Sequence, residues 1–121
     1  MKLKSVMFSE FEDNDSSNSS IAKFISTEEM LNEIDIVNYL ENGIPLIVCP
    51  GPASDLIEPK NGIIGTRHIL TDGVWMWRSD LQYYVRKYHL VLPAEFIQHM
   101  YEQEWIPPLE NEIDFENLDY S

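Results

Sequence analysis

Three histidines (His68, His89, His99), one cysteine (Cys49) and 21 Asp and Glu are the side chains of this 121-residue chain that could hold a metal, attack a substrate or move a proton. A zinc site needs three or four converging ligands. No histidine stands at ligand spacing with another His, Cys or acid, and His89 and His99 are separated by a Leu-Val-Leu-Pro break. They read as surface or structural histidines, and no metal is expected. A nucleophilic thiol needs a neighbouring base or a helix N-terminus to lower its pKa. Cys49 lies instead in "LIVCPGP", an apolar strand end, and reads as a buried structural cysteine. As the single cysteine it can form no internal disulfide. The Pro-Gly-Pro that follows it carries no helix-opening signal, so a phosphate-cradling loop is not supported, and Gly62 and Gly65 frame no dinucleotide fingerprint. The neighbouring acids Glu28/Glu29 and Glu102/Glu104 would serve acid–base chemistry only if a cleft drove their pKa values apart. Arg67 and Asp72 could form an exposed ion pair of small value. These residues predict no catalytic group and no cofactor, and the chain reads as a non-enzyme.

Charge carries more information. The 21 acids face 8 Lys and Arg, a net charge of −13. Such a chain repels phosphate backbones and anionic lipid surfaces, so neither nucleic acid nor membrane is an expected partner; the charge suits basic proteins, cations or simply solubility in water. The longest apolar run, Leu46 to Cys49, is far short of the ~20 residues that span a bilayer, and "MKLKSVMFSEFEDND" lacks the apolar core of a secretory signal. A cytoplasmic location is expected. The acids are unevenly spread. After Lys87 there is no Lys or Arg, yet eight acids follow (Glu95, Glu102, Glu104, Glu110, Glu112, Asp114, Glu116, Asp119), and Glu10, Glu12, Asp13 and Asp15 cluster near the N-terminus.

The elements that must position these groups follow from hydrophobic period and punctuation. "KLKSVMF" (2–8) alternates imperfectly and suits a short strand. Residues 12–20, polar and low in complexity, read as a flexible loop. "STEEMLNEIDIVNYLENG" (26–43) predicts a helix, capped at Ser26 or Thr27, with Met30, Leu31, Ile34, Val37 and Leu40 as its apolar stripe and Gly43 as its stop. "IPLIVCP" (44–50) suits a buried strand, and 51–62 a loop with a short turn at 53–57. The segment 63–77 reads as a hairpin about Asp72-Gly73, a favoured two-residue turn in which both central residues take positive φ; Trp75 and Trp77 then share one face and Val74 and Met76 the other. Ser79 with Gln82 suggests a capping box for a second helix bearing Leu81, Tyr84, Val85 and Tyr88. Pro93 opens a third helix with Phe96, Ile97, Met100 and Tyr101 on one side, stopped at Pro107-Pro108. Residues 108–121 form an acidic arm that keeps Leu109, Ile113, Phe115, Leu118 and Tyr120 for packing. The whole is a single α+β domain: a small, mainly antiparallel sheet with three helices packed on it. Core packing accounts for most of the aromatic residues in "TDGVWMWRSDLQYYVRKYH" (71–89). Tyr83, beside the Leu81 stripe, is the aromatic best placed to remain at the surface as an interface anchor.

The segment "TDGVWMWRSDLQYYVRKYHLVLPAEFIQHM" resembles small bacterial immunity proteins of polymorphic-toxin and contact-dependent growth inhibition loci. The shared pattern is an Asp-Gly turn, Trp-x-Trp, a Leu-x-Tyr-Tyr helix, then Leu-Pro and a helix with Phe: here Asp72, Gly73, Trp75, Trp77, Leu81, Tyr83, Tyr84, Leu92, Pro93 and Phe96. It covers residues 62–107 at most, and Arg78 stands where the pattern carries Pro. The resemblance implies a protein, monomeric when free, that binds and neutralises a cognate toxin domain, often a nuclease and most often an RNase, by covering its basic active-site surface. Charge then selects the contact residues: Glu10, Glu12, Asp13, Asp15, Glu110, Glu112, Asp114 and Glu116, with Tyr83 as the anchor. The alternative is a small acidic adaptor or regulatory domain that binds a basic protein unrelated to toxins.

Overall fold

The computed structural model describes residues 4–6, 24–29 and 31–114. Its organising strand is β6 (Trp75–Arg78). Strand alternation sends every second side chain to the same face, so Trp75 and Trp77 are both buried while Val74, Met76 and Arg78 are half-buried. β6 pairs antiparallel with β5 (Ile69–Thr71), opposing Leu70 to Trp77 and Thr71 to Met76. A short β1 (Lys4–Ser5) lies parallel on the far side of β6, and β2 (Ile44–Ile47) antiparallel on the far side of β5, giving the order β1-β6-β5-β2. Pro45 has no amide to donate, and it sits in the edge strand β2, where that loss is tolerated. The expected strand over 44–50 thus pairs only as far as Ile47.

Three helices cover the indole face: α1 (Glu33–Glu41), α2 (Leu81–Tyr88) and α3 (Ala94–Glu102). Phe96 of α3 stacks on Trp75 at 4.7 Å and tilts against Trp77 at 5.3 Å. Tyr39 of α1 closes the cluster 6.0 Å from Trp77, whose indole N–H donates to the Leu40 carbonyl (3.0 Å). Leu81, Tyr84, Val85, Leu90, Leu92 and Met100 complete a continuous core. The fold is therefore the expected α+β domain with a mostly antiparallel sheet and three helices. The aromatic residues of 71–89 are chiefly its core.

Several boundaries differ from the sequence reading. The hairpin is 69–78, not 63–77. Residues Ile63–Thr66 form β4, which pairs with β3 (Pro52–Ser54) in a separate two-stranded sheet, inside what reads as a loop. The ladder breaks at Arg67-His68 because His68 is used otherwise: its Nδ1 accepts the Cys49 amide and its carbonyl accepts the Ser79 amide. At the turn only Gly73 takes positive φ (92°). Asp72 instead uses its side chain, with Oδ1 accepting the amides of Val74 (2.9 Å) and Trp75 (2.7 Å).

Helix α1 begins six residues after the proposed cap. Asn32, at φ 60°, interrupts any helix from residue 27 onward, and Ser26 Oγ accepts the Glu28 amide to close a local turn. The buried face is Glu33, Ile36, Val37 and Leu40, together with Tyr39; Leu31 and Ile34 are 87% and 72% exposed. The expected stripe holds only at Val37 and Leu40; Ile36 and Tyr39 take the inward positions instead, Tyr39 against Trp77 and Ile36 within the same core. Met30 lies outside the described residues. In α2 Leu81, Tyr84 and Val85 of the expected face are buried and Tyr88 is half-buried, but Asp80 holds the N-cap position while the Ser79 hydroxyl donates to the Thr66 carbonyl. In α3 Phe96 and Met100 are buried, Ile97 is half-buried, and Tyr101 points outward.

Candidate functional site

Of the four buried carboxylates among the described residues (Glu33, Asp55, Asp72 and Asp80), the three aspartates organise the polar interior, and none is among the contact residues read from the sequence. Asp55 follows β3. Its Oδ1 accepts the amides of Ile57 (2.8 Å) and Glu58 (2.9 Å), which is the turn that Asp makes in a Pro- and Gly-rich loop. Its Oδ2 accepts Asn61 Nδ2 (3.0 Å) and the hydroxyls of Tyr83 (2.8 Å) and Tyr88 (2.6 Å). Burial opposes the charge, but these donors outweigh it and hold the carboxyl well below the usual carboxylate range. The same burial and the adjacent anion push the hydroxyls of Tyr83 and Tyr88 upward, so both remain protonated donors. Tyr84 alongside accepts the Leu56 amide (3.0 Å), and burial raises its hydroxyl to about 12. Asp55 thus ties loop 55–62 to one side of α2.

Asp72 is the second. Beyond the turn amides, its Oδ2 accepts the Tyr39 hydroxyl and lies 3.1 Å from His99 Nε2. Burial, then the hydrogen bond and charge of Asp72, push the Tyr39 hydroxyl above its ordinary value. Asp72 joins the hairpin tip to α1 and α3, so the expected surface pair with Arg67 does not form; the Arg67 guanidinium reaches the Pro50 carbonyl at 3.4 Å. Asp80, the third, takes a two-pronged contact from Arg78: Nε to Oδ1 at 3.0 Å and Nη2 to Oδ2 at 2.9 Å. Burial raises the Asp80 carboxyl, opposed by Arg78. Such geometry suits the planar guanidinium and gives Asp80 a partner that proline at position 78 would not supply.

All three histidines are engaged structurally. His68 receives the Cys49 amide, His89 Nδ1 lies 2.8 Å from Glu33 Oε1, and His99 meets Asp72. Cys49 itself is half-exposed rather than buried, two residues past the end of β2. Among the described residues, no group of three or more His, Cys, Asp or Glu is placed to hold a metal ion. The arrangement of these groups is what holds loops to helices; it leaves the molecule's outward chemistry to its surface.

The acids and Tyr83 chosen from the sequence separate into three places. Tyr83 is half-buried, its hydroxyl committed to Asp55 and its ring edge-on to Tyr84 (5.4 Å) and Tyr88 (6.2 Å). Glu10, Glu12, Asp13, Asp15 and Glu116 lie outside the described residues, as do the loop 12–20 and the last residues of the arm. Glu110, Glu112 and Asp114 are exposed on the described part of the arm. That arm is built into the fold. A single 3₁₀ turn, Glu110–Glu112, is closed by Glu112 Oε1 accepting the Leu109 amide (3.0 Å). Ile113 lies over the hairpin tip so closely that a Cβ on Gly73 would meet its Cγ1 and Cγ2 at 3.5 and 3.7 Å. This contact places the described part of the arm, residues 109–114, beside the Asp72–Gly73 turn.

The surface leading into the arm is the end of α3, which sequence reasoning passed over. Helices commonly end on a glycine in the left-handed region; here Glu104 (φ 56°) and Trp105 (φ 62°) both adopt it. Non-glycine residues pay about 1–3 kcal/mol each for such backbone. The Trp105 amide donates to the Met100 carbonyl (2.9 Å), and the reversal brings the Trp105 ring edge-on to Tyr101 at 6.1 Å. Tyr101, Glu102, Glu104 and Trp105 line an open cleft of about 420 Å³. Ile106 and Leu109, both largely exposed, continue from it along the chain toward the acidic turn. The sequence signal was present in "YEQEW", two aromatics interleaved with two acids. The helical period puts Tyr101 on the inward face of α3 with Trp105 just past it, whereas the fold turns Tyr101 outward.

Compared with protein-family models, with curated proteins and with solved structures, the chain has no match.

Proposed function

We propose that this chain is an immunity-type protein that binds a cognate toxin domain and blocks it by covering a basic active-site surface. The observation that carries the reading is the acid-rich C-terminal third: no Lys or Arg follows Lys87, and Glu110, Glu112 and Asp114 stand exposed on an arm packed against the hairpin tip. Carboxylates on an arm already placed against the fold need less ordering to meet a positive surface, and complementary potentials speed encounter and reject wrong partners. A nuclease, above all a ribonuclease, presents such a surface to its phosphate substrate. The resemblance of residues 62–107 to immunity proteins points to the same class. In this reading the protein acts in the cytoplasm as a monomer, as a stoichiometric blocker with no turnover of its own. Among the described residues no helix is long and apolar enough to cross a membrane.

The test is co-expression with the polypeptide encoded by the adjacent gene. A neighbouring product that arrests growth alone and is silenced by this chain, forming a one-to-one complex with it, supports the proposal. A neighbouring product that is harmless, or equally toxic in its presence, overturns it and leaves an acidic adaptor for an unrelated basic protein.

A further inference from the structure

We propose that the cleft at the C-terminal end of α3 is the contact point of this surface, and that it takes an arginine side chain presented by a protein partner. The inference deepens the binding reading above and rests on it for the partner's identity. The cleft walls pair two aromatic rings with two carboxylates: Tyr101 and Trp105 stand edge-on to each other, with Glu102 and Glu104 between them in sequence. Aromatic faces attract cations through the ring quadrupole, and carboxylates complete a guanidinium's donors. Tyr101 is 62% exposed and Glu102 and Glu104 are exposed as well, while Trp105 is half-buried against the core.

Among the described residues, neither Glu102 nor Glu104 pairs with a Lys or Arg. The only basic residue in the last turn of α3 is His99, which is turned inward onto Asp72, and no Lys or Arg occurs anywhere after Lys87. The carbonyl end of α3 adds negative potential at the same spot. Arginine suits the cleft better than lysine because a planar guanidinium stacks on one ring while its edge meets a carboxylate. A protein rather than a small cation is the occupant because the cleft does not end at the acids. Ile106 and Leu109, both exposed apolar residues, follow it along the chain and lead to the exposed Glu110 and Glu112. Aliphatic stems and apolar neighbours of a partner's arginine would cover these two residues. The carboxylates beyond them suit further basic residues.

The experiment is an NMR titration of the full chain with a capped tetra-arginine peptide, followed in parallel with tetra-lysine. Trp105 offers its own reporter, because the other two indoles, Trp75 and Trp77, are buried. The expected result is saturable binding in which the Trp105 indole N–H and the backbone amides of 101–105 shift most, with the arginine peptide tighter. The pair Tyr101→Ala with Glu104→Gln should weaken binding at least about fivefold, the sum of a lost cation–π contact and a lost exposed ion contact. Glu102→Gln, which alters no ring, serves as a second variant if the first is unstable. Shifts spread evenly over the acidic surface, or equal affinity in these variants, would overturn the proposal. The two readings fail separately. If the chain silences its toxic neighbour but Tyr101→Ala/Glu104→Gln silences it equally well, the cleft assignment is wrong and the immunity reading stands. If no neighbour is toxic, the titration still decides what the cleft binds.

Discussion

Replacing Asp55 with asparagine keeps the shape of the side chain and removes its charge, which makes it the sharpest probe of how the loop 55–62 is held to α2. The carboxylate accepts five hydrogen bonds between 2.6 and 3.0 Å. An amide has one acceptor oxygen, so either the two backbone amides or the three side-chain donors face an N–H₂ group instead. Hydrogen bonds to a charged group contribute about 1.5–3 kcal/mol net each, neutral ones about half that. Loss of at least two, less the relief of no longer burying a charge, gives a destabilisation of about 2–4 kcal/mol. For a domain of this size that is a fall in melting temperature of roughly 10 °C. The pH dependence has a definite sign. The folded carboxyl titrates below its unfolded value, so its stabilisation is full above about pH 4 and fades as pH falls through the folded value. Urea unfolding of both proteins should therefore show a gap that is constant above about pH 5 and narrows toward pH 3. A gap under about 1 kcal/mol, or one that is the same at both pH extremes, would refute the reasoning.

Other consequences are as specific. A Cβ at Gly43 would lie 2.5 Å from Trp77 Cζ2 and 3.0 Å from Leu70 Cβ, so Gly43→Ala should destabilise by about 1–3 kcal/mol through overpacking, read from chemical denaturation. Phe96→Ala removes the ring that stacks on Trp75 and touches Trp77; a loss of about 3–5 kcal/mol and a weakened near-ultraviolet circular dichroism signal are expected. Leu31→Ser and Ile34→Ser, at positions exposed to solvent, should each change stability by no more than about 0.5 kcal/mol. A large loss at either would restore the apolar stripe read from the sequence.

What the sequence made legible was what neighbouring residues decide together. The Trp75/Trp77 alternation, the Leu81-Tyr84-Val85 face and the location of the Asp72-Gly73 turn all follow from period and turn chemistry within a few residues. What it hid depends on partners far along the chain. Asp55 stands 28 and 33 residues from the tyrosines that hold it, and nothing local distinguishes it from an ordinary turn aspartate. The α1 stripe holds at Val37 and Leu40 and fails at Leu31 and Ile34, because the inward positions go to Ile36 and Tyr39, whose core partners lie far along the chain. The strand pair β3–β4 escaped because prolines and glycines, which punctuate most loops, here flank a short bulged ladder. The α3 cleft requires two left-handed residues without glycine at a helix end, a backbone path that sequence preference argues against.

The central claim is that a basic toxin domain docks on the acidic C-terminal surface. It is tested most directly by the salt dependence of that complex, measured for the native chain and for the combined Glu110→Lys, Glu112→Lys, Asp114→Lys and Glu116→Lys variant by calorimetry from about 0.05 to 0.3 M salt. The account predicts tight binding by the native chain that weakens steeply with salt, and a variant with much lower affinity and a shallow slope. The same affinity and the same slope in both proteins would contradict it.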